Sequence, residues 1–353
     1  MIEIVLHVPD PQSWDPVFLS GDSHDLGRWL SIGARCSRFS DGTHRLFLPV
    51  ERPGERIRFL ATRGHWRDAE VGEWGREAWP REIELSPDTR IEHRVEGWGR
   101  ASVRYHIDFA SEFLPHPHTL TVYLPPGYDL EPERRYPVFY LHDGQNLFDS
   151  HTSYVGYPWG CDEIAERAIR LGEVEPLIIV GIANSPDRLK EYGPRRSAAP
   201  DDLSCDYGRF LAEEVVPFIN GNYRTRFELD STGIGGSSMG GLISLHLCKW
   251  YPNLFGRCAA LSPSLWWDQE AFANGIQSAP RWTKHCRVWL DMGANEGGSE
   301  AGRQGMLRRA RGLSEQLHQL GTDHRYYEDP QGSHNESSWG ARFADVLRFL
   351  FPA

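Results

Sequence analysis

The sequence predicts an α/β fold with a mostly parallel, doubly wound sheet, preceded by a small all-β sandwich. Up to about residue 100, short alternating runs are separated by Gly, Pro, Asp and Ser, which is typical of a sandwich. From about residue 119, compact apolar runs alternate with helix-length segments, as in parallel sheets covered on both faces. At 353 residues, two domains are expected. We place them at 1–100 and 101–353, with the boundary near Gly99–Phe113.

The elements follow in chain order. The predicted sandwich strands are the alternating runs IEIVLHV, PVFLSGD, HRLFLPV, RIRFLAT, REIEL and IEHRVEG. The predicted strands of the second domain are the apolar runs LTVYLPP, YPVFYLHDG, PLIIVGIANS, STGIGG, RCAALSP, RVWLDMG and HRYYEDP. The predicted helices are the amphipathic segments Cys205–Ile219, Leu242–Trp250, Gly305–Leu320 and Ser337–Phe351.

Composition restricts the class of partner. The net charge is −11, from 38 Lys and Arg against 49 Asp and Glu, and basic residues form no block, which argues against nucleic acid and anionic membranes. A small molecule or an oligosaccharide is the expected partner. The six cysteines include no C-x-x-C pair, and the start of the chain lacks the features of a signal peptide. We therefore expect reduced thiols, no membrane span and a cytoplasmic location.

The run Gly236-Ser-Ser238-Met-Gly240 fits the pattern G-x-S-x-G. An apolar strand, Gly233–Gly235, enters this turn, and the helix Leu242–Trp250 leaves it. A sharp turn between strand and helix raises a serine hydroxyl above a parallel sheet, near the positive end of the helix dipole. The pattern therefore predicts that Ser238 is a nucleophile. The alternative is a glycine-rich helix start in which Ser238 only caps the helix.

A serine nucleophile needs a base, because its hydroxyl is a weak nucleophile at neutral pH. Among the fifteen histidines, His334 lies in a loop between a late strand, Arg325–Glu328, and the last helix. His142, which follows YPVFYL, is the main competitor. It precedes Ser238 in the chain, however, and this conflicts with the order serine, acid, histidine. We therefore predict His334 as the base.

The acid is expected after the strand between the serine and the histidine. Arg287–Gly293 is that strand, and Glu296 lies beyond its end, where a carboxylate can reach back toward an imidazole. Asp291 lies inside the strand and is the alternative, although a side chain there more often points into the sheet packing. We predict Glu296 as the acid and leave Asp291 open.

Two backbone N–H groups are needed to stabilise an oxyanion. One comes from the residue after the nucleophile, which is Met239, and the other from the loop after the third strand. His142-Asp-Gly144-Gln145 is that loop, so Gln145 is the predicted second donor. The side chains of Asp143 and Gln145 either bind substrate hydroxyls or cap the loop.

These segments together resemble a known family. They are YPVFYLHDGQNLFD, RLKEYGP, GIGGSSMGGLISL, YPNLFGRCAALSPSLWW, MGANE and GSHNESSW. Over roughly residues 100–353 they are similar to the α/β-hydrolases of the esterase D, enterochelin esterase and feruloyl esterase group, which includes mycolyltransferases. The resemblance implies Ser238 as nucleophile, His334 as base, Glu296 as acid, and the Gln145 and Met239 amides as oxyanion hole.

The resemblance also implies substrate-binding residues. Trp159, Trp266 and Trp267 lie in segments that resemble those lining the active-site cleft of the family, and we expect these side chains to be exposed. Each of them either faces the cleft or packs in the core. We predict them, together with Asp143, as substrate-binding residues.

The first hundred residues resemble a starch-binding type of carbohydrate-binding module. The resemblance lies in PVFLSGDSHDLGRW, DGTHRLFLPV and RIRFLATRGHWRDAEVGEWG, but the segment after Trp66 lacks the usual continuation. Trp29, Trp66, Trp74 and Trp79 therefore bind carbohydrate, pack the sandwich or cover the catalytic cleft.

The sequence thus predicts a serine esterase that forms an acyl-enzyme and needs no metal or organic cofactor. The expected substrates are aryl or hydroxycinnamoyl esters of sugars and acetylated sugars, followed by catecholate siderophore esters. Acyl transfer to an alcohol is an alternative reaction. The alternative outside enzymes is a carbohydrate-binding protein with an inert hydrolase domain. The oligomeric state is not predicted.

Overall fold

A computed structural model describes residues 1–72, 77–99, 103–129, 131–195, 201–276 and 282–353. Trp74 lies outside the described residues, as do positions 100–102 within the predicted domain boundary. The division into domains at residue 100 therefore stays a prediction.

The N-terminal part forms two four-stranded sheets, with the orders β4-β5-β1-β9 and β3-β2-β6-β8, and a two-stranded pair, β10-β7. The strands are β1 Ile2–His7, β2 Phe18–Gly21, β3 Ala34–Arg35, β4 Ser37–Arg38, β5 His44–Leu48, β6 Arg56–Thr62, β7 Glu70–Val71, β8 Arg81–Glu84, β9 Thr89–Arg94 and β10 Gly97–Trp98. All six predicted runs are strands. The antiparallel pairings are joined by one parallel pair, β1 with β9.

The two four-stranded sheets share one apolar core, as a sandwich requires. Alternate residues of β1, Ile2 and Ile4, pack in this core with Leu19 of β2 and Phe59 of β6. Because successive strand residues point to opposite faces, the alternating pattern of the sequence is what creates this inner face. The predicted sandwich is confirmed.

The second part contains an eight-stranded sheet in the order β11-β12-β14-β13-β15-β16-β17-β18. The strands are β11 Val103–Phe109, β12 His118–Tyr123, β13 Val138–His142, β14 Ile178–Ile182, β15 Thr232–Ser237, β16 Arg257–Leu261, β17 Arg287–Gly293 and β18 His324–Asp329. From β14 to β18 all pairings are parallel, and β11 and β12 add an antiparallel edge. The mostly parallel sheet is confirmed. In this sheet, only the edge strand β11, whose side chains are exposed or partly exposed, was absent from the predicted runs.

Helices cover both faces of this sheet. They are α1 Cys161–Arg170, α2 Arg188–Tyr192, α3 Ser204–Arg209, α4 Val216–Asn222, α5 Met239–Trp250, α6 Ala271–Gly275, α7 Glu300–Gln319 and α8 Glu336–Leu350. In β13, Val138 and Tyr140 face the core beneath α3, α4, α5 and α7, whereas Phe139 and Leu141 face the core beneath α1 and α8. The strands are therefore apolar on both faces, which explains their continuous apolar runs.

The helices differ from the sequence-based expectation in two ways. A π-helical stretch, Phe210–Val215, joins α3 to α4, so the single predicted helix Cys205–Ile219 is irregular at its centre. Helices α1, α2 and α6 were not among the predicted segments, although Cys161, Ile164, Ala165 and Ala168 of α1 have the spacing of an amphipathic helix. Among the residues that the structure describes, no helix has both the length and the apolar character needed to cross a bilayer.

The sandwich contacts helix α1. The backbone N–H of Trp66 donates to Glu163 at 2.8 Å, and the Arg170 guanidinium lies 5.0 Å from the ring centres of both Trp29 and Trp66. Both indoles are buried, so these two tryptophans pack at the contact and offer no open stacking surface. Trp79 is 62 % exposed.

Candidate active site

Ser238 lies at the sharp turn between β15 and α5. Its φ of 55° and ψ of −121° are an uncommon conformation for a residue with a side chain. A Cβ atom on Gly240 would lie 3.1 Å from the Cβ of His142, and one on Gly236 would lie 3.0 Å from the carbonyl carbon of Gly240. The turn is so tight that a side chain at either position would require its neighbours to move by a few tenths of an ångström.

The structure brings Ser238, His334 and Glu296 together. The Ser238 Oγ is 2.9 Å from Nε2 of His334, and Nδ1 of His334 is 2.7 Å from Oε2 of Glu296. A carboxylate only accepts hydrogen bonds, so the proton of a neutral His334 lies on Nδ1 and Nε2 is free to accept from the serine hydroxyl. This arrangement can remove the proton of Ser238 and stabilise the resulting imidazolium.

Glu296 is held in the interior, with an exposed fraction of 1 %. Its Oε1 accepts hydrogen bonds from the backbone N–H of Gly293 at 2.9 Å and from Oγ of Ser262 at 2.5 Å. Because Oε1 has these two donors, Oε2 points toward His334. The side chain therefore has one orientation, which a surface carboxylate would lack.

Asp291, the alternative acid, is also fully buried but faces other groups. It accepts from the indole of Trp289 at 2.8 Å and from the backbone N–H of Ser262 at 3.0 Å, and it lies 3.2 Å from Arg342. Burial raises the pKa of its carboxyl to about 6, and the charge of Arg342 opposes this rise. The structure thus places Glu296, and not Asp291, against His334.

His142, the alternative base, is enclosed behind the turn. Its Nδ1 is 2.8 Å from the Tyr207 hydroxyl, and its ring packs against Tyr192. Burial lowers the pKa of His142 to about 3. The neutral imidazole of His142 packs against Gly236 and Gly240 and fills the space behind the turn.

The two predicted oxyanion donors lie at the start of α5 and in the loop that follows β13. Met239 is the first residue of α5, where backbone N–H groups have no partner within the helix. Gln145 is held by its side chain, whose Oε1 accepts from the N–H of Asn184 at 3.1 Å. Thr152 fixes the other side of the loop by donating to the backbone oxygen of Gln145 at 2.7 Å.

Asp143, which was predicted either to bind substrate or to cap the loop, is surrounded by protein partners. Arg188 contacts both carboxylate oxygens of Asp143, at 2.6 and 2.7 Å, and Asn184 donates to the same group at 2.6 Å. The carboxylate is buried and has a full set of protein partners. Of the two alternatives, the structure favours a role in holding the loop, because these partners already occupy the oxygens that a substrate hydroxyl would need.

The three predicted cleft tryptophans have different environments. Trp159 is only 5 % exposed and packs against Trp339 and Phe343, so the expectation that it is exposed is wrong. Trp267 is partly buried, and its indole donates to the backbone oxygen of Pro194 at 3.0 Å. Trp266 is 48 % exposed, as expected. Trp159 is buried because Trp339 and Phe343 of helix α8 pack against it.

Several residues at this site were not predicted. The Ser264 hydroxyl lies 3.3 Å from that of Ser238, and its N–H donates to the Ser238 carbonyl. The Trp339 ring packs edge-on against His334, with 4.9 Å between centres. Ser264 lies in the segment ALSPSLWW and Trp339 lies in GSHNESSW, but the local sequence gave no sign of their contacts. Tyr154 and Tyr157 are exposed on the loop that continues from Gln145.

Comparisons with known proteins show the family and the fold of the chain. The profile of the Esterase family, described as "Putative esterase", matches residues 111–350, more than half of the chain. The uncharacterized protein YbbA of Bacillus subtilis is 28% identical over 245 residues, or 65% of this chain and 91% of that protein. An endo-1,4-beta-xylanase/feruloyl esterase of Xylanibacter ruminicola is 26% identical over 46% of this chain and 22% of its own length. The solved enterobactin esterase of Shigella flexneri has a TM-score of 0.55 at 16% identity and covers 95% of this chain and 88% of its own.

Proposed function

Because the chain belongs to the Esterase family and is a carboxylic ester hydrolase, we propose that it is a serine esterase with Ser238 as nucleophile, His334 as base and Glu296 as acid. One observation carries this proposal. The two hydrogen-bond distances of 2.9 and 2.7 Å connect the serine hydroxyl, the imidazole and a buried carboxylate in series.

In the proposed reaction, Ser238 Oγ attacks the ester carbonyl carbon while His334 takes the hydroxyl proton. The tetrahedral intermediate collapses when its bond to the alcohol oxygen breaks and His334 returns the proton to that oxygen. Water then attacks the acyl-enzyme with His334 again as base, and the acid and free Ser238 are released. Glu296 keeps the imidazole oriented and stabilises its positive charge in both halves.

The developing oxyanion is expected to lie between the N–H groups of Met239 and Gln145. Support comes from the position of Met239 at the start of α5, where the helix dipole favours negative charge. The hydrogen bonds from Asn184 and Thr152 keep the Gln145 loop in place before substrate arrives. A donor that needs no rearrangement stabilises the transition state more effectively.

For the substrate, we propose aryl or hydroxycinnamoyl esters of sugars, with acetylated sugars next. Three exposed aromatic side chains support this choice: Tyr154 at 88 %, Tyr157 at 69 % and Trp266 at 48 % exposure. Tyr154 is connected to the oxyanion loop, because its N–H donates to the side chain of Asn146 at 2.9 Å. Exposed rings suit the flat faces of aryl groups and sugars. The feruloyl esterase relative acts on this kind of ester by its name.

A siderophore ester is the second candidate. The enterobactin esterase shares its fold with both parts of this chain, including the N-terminal sandwich. A substrate that contacts the sandwich and the catalytic part together would be consistent with this shared arrangement. The alternatives of acyl transfer and of an inert hydrolase domain remain as outcomes of the experiment below.

The proposal is tested by hydrolysis of p-nitrophenyl acetate, a longer p-nitrophenyl ester, methyl ferulate, acetylated xylo-oligosaccharide and a catecholate siderophore ester. We expect turnover by the wild type and none above background by Ser238→Ala. A serine-directed phosphonate should label the wild type only. Equal rates from both proteins and no labelling would favour the binding-protein alternative, and ester formation with added alcohols would indicate a transferase.

The choice of acid is tested by Glu296→Gln against Asp291→Asn. We expect kcat to fall by about 10²- to 10⁴-fold in Glu296→Gln, because the amide no longer holds the imidazolium or its tautomer. A smaller loss is expected in Asp291→Asn, since this carboxyl faces Trp289 and Arg342. The reverse order of the two losses would make Asp291 the acid.

A further inference from the structure

Ser262 is a buried serine at the centre of the hydrogen bonds around Glu296. It follows strand β16, is fully inaccessible to solvent, and has a φ of 43°, which is uncommon for a residue with a side chain. Its Oγ has three polar neighbours: Glu296 Oε1 at 2.5 Å, Arg342 Nη2 at 3.0 Å and Trp339 Nε1 at 3.1 Å. Neither Ser238 nor His334 is among these three hydrogen-bond partners of Ser262.

The direction of these hydrogen bonds follows from the groups present. Arginine and the tryptophan indole only donate, so both hydrogen bonds from Arg342 and Trp339 end on the lone pairs of Ser262. The single proton of the Ser262 hydroxyl therefore points to Glu296. A hydroxyl that accepts from a cation becomes a stronger donor, and a buried environment strengthens such a chain further.

Arg342 keeps this arrangement in place from helix α8. Its side chain is 3 % exposed and lies 3.2 Å from Asp291, 3.2 Å from Asp329 and 4.0 Å from Glu296. Asp291 belongs to β17 and Asp329 ends β18. One guanidinium thus joins the ends of two neighbouring strands to the segment that carries Ser262. The positive charge of Arg342, which polarises Ser262, is therefore paired with carboxylates that hold the guanidinium in place.

The segment that contains Ser262 also contacts the nucleophile. Two residues further on, Ser264 donates its N–H to the Ser238 carbonyl at 3.0 Å, and the two hydroxyls are 3.3 Å apart. Pro263 between them packs on the turn, close to Gly241. A displacement of Ser262 would therefore reach both the acid and the nucleophile through three consecutive residues.

We propose that Ser262 is a positioning residue, which donates its proton to Glu296 and, with Arg342 and Trp339 behind it, fixes the carboxylate that orients His334. The inference rests on the proposed function. It assigns a role to a hydroxyl that itself contacts neither substrate nor reacting atoms. Its hydrogen bond acts on the reaction through Glu296.

The test compares Ser262→Ala with Trp339→Phe and with Ser20→Ala, a control that removes a fully buried hydroxyl from β2 of the sandwich. In Ser262→Ala we expect kcat for p-nitrophenyl acetate to fall by about ten- to a hundredfold with little change in KM, because one hydrogen bond to a charged group is lost. Trp339→Phe keeps a ring against His334 but removes the donor to Ser262. It should give a smaller loss, and Ser20→Ala none.

The pH profile separates positioning from a general loss of packing. The charged or titratable groups near Glu296 are His334, Arg342 and Asp291. Without the Ser262 donor, Glu296 is a stronger acceptor and stabilises the imidazolium more. The acid limb of kcat/KM should therefore move to higher pH in Ser262→Ala, whereas a purely structural defect would lower kcat and leave the limb in place.

A spectroscopic measurement keeps the inference testable if no ester is turned over. The Nδ1 proton of His334 should give a low-field NMR resonance that is lost in Glu296→Gln, moves in Ser262→Ala and is unchanged in Ser20→Ala. Wild-type kcat, pH profile and resonance in Ser262→Ala would overturn the positioning role while leaving the esterase proposal intact. Absence of Ser238-dependent turnover would overturn the esterase proposal, and the resonance would then decide the role of Ser262. If Ser262→Ala does not fold, the same measurements on Trp339→Phe decide.

Discussion

Asp291 is a carboxyl group whose ionisation is opposed by its surroundings. It is fully buried, and burial raises the pKa of this group to about 6 from an ordinary value of 3.8. Arg342, the Trp289 indole and the Ser262 N–H stabilise the anion, and Glu296 opposes it, so the burial effect exceeds the sum of the favourable contacts. Ionisation of Asp291 therefore lowers the stability of the folded protein.

That cost predicts a pH dependence of stability. Because the folded pKa of Asp291 is above the unfolded one, its contribution is fully present below about pH 4 and is lost as pH rises through 6. Relative to Asp291→Asn, the free energy of unfolding of the wild type should fall by about 2 kcal/mol between pH 4 and pH 7. Urea unfolding at three pH values in this range measures the difference. A constant difference, or a rise with pH, would contradict the prediction.

The turn between β15 and α5 shows how an element positions one atom. Strand β15 leads into a serine with positive φ, and helix α5 leaves at once, so the Ser238 hydroxyl projects from the carboxyl end of the sheet. Because His142 lies so close to Gly240, the geometry of the turn depends on the absence of a side chain at position 240.

Gly240→Ala tests this dependence. The new Cβ would lie 3.1 Å from His142 Cβ and 3.4 Å from Asp143 Oδ2, so the turn must shift. We expect a loss of about 1–3 kcal/mol in the free energy of unfolding and a fall in kcat. The matched control is Gly312→Ala in helix α7, where the Cβ meets no atom within 4 Å, and there a gain of roughly 0.5–1 kcal/mol is expected. Equal effects from the two variants would show that the turn tolerates a side chain.

For the whole molecule, the contact between the sandwich and helix α1 decides whether the two parts unfold together. Arg170 forms a buried ion pair with Glu166 at 2.7 Å and covers the rings of Trp29 and Trp66 with its guanidinium. Since α1 also packs on α8, which follows His334, this contact connects the sandwich to the region of the site. We expect a single cooperative thermal transition for the wild type.

Arg170→Ala should weaken this connection. Removal of the arginine leaves the Glu166 carboxylate buried without its cation, at a cost of about 3–5 kcal/mol. Calorimetry should then resolve two transitions, with the sandwich unfolding first. In the control, Arg348→Ala on helix α8 removes a half-exposed ion pair with Glu173. A change below about 1 kcal/mol in the free energy of unfolding is expected. One unshifted transition in Arg170→Ala would mean that the contact does not couple the two parts.

The sequence by itself determined most of the strands and the class of the protein. Apolar alternation in IEIVLHV and the continuous run YPVFYL reflect burial of one or both strand faces, and this is a local property of the chain. The order of Ser238, Glu296 and His334 follows from a topology in which each parallel strand delivers a loop to the same edge. The match to the Esterase family confirms the predicted class of protein, an ester hydrolase. The roles of these three residues stay a proposal.

Only the tertiary structure decided which side chains meet. Glu296 and Asp291 are five residues apart and chemically similar, yet one faces His334 and the other Arg342. Trp159 is buried because helix α8 covers it, and its surrounding sequence carries no trace of that helix. Ser262 and Arg342 are 80 residues apart, so their contact depends on strand order and helix packing. Local patterns record the burial of a residue, whereas its partners are set by parts of the chain that come together only in the fold.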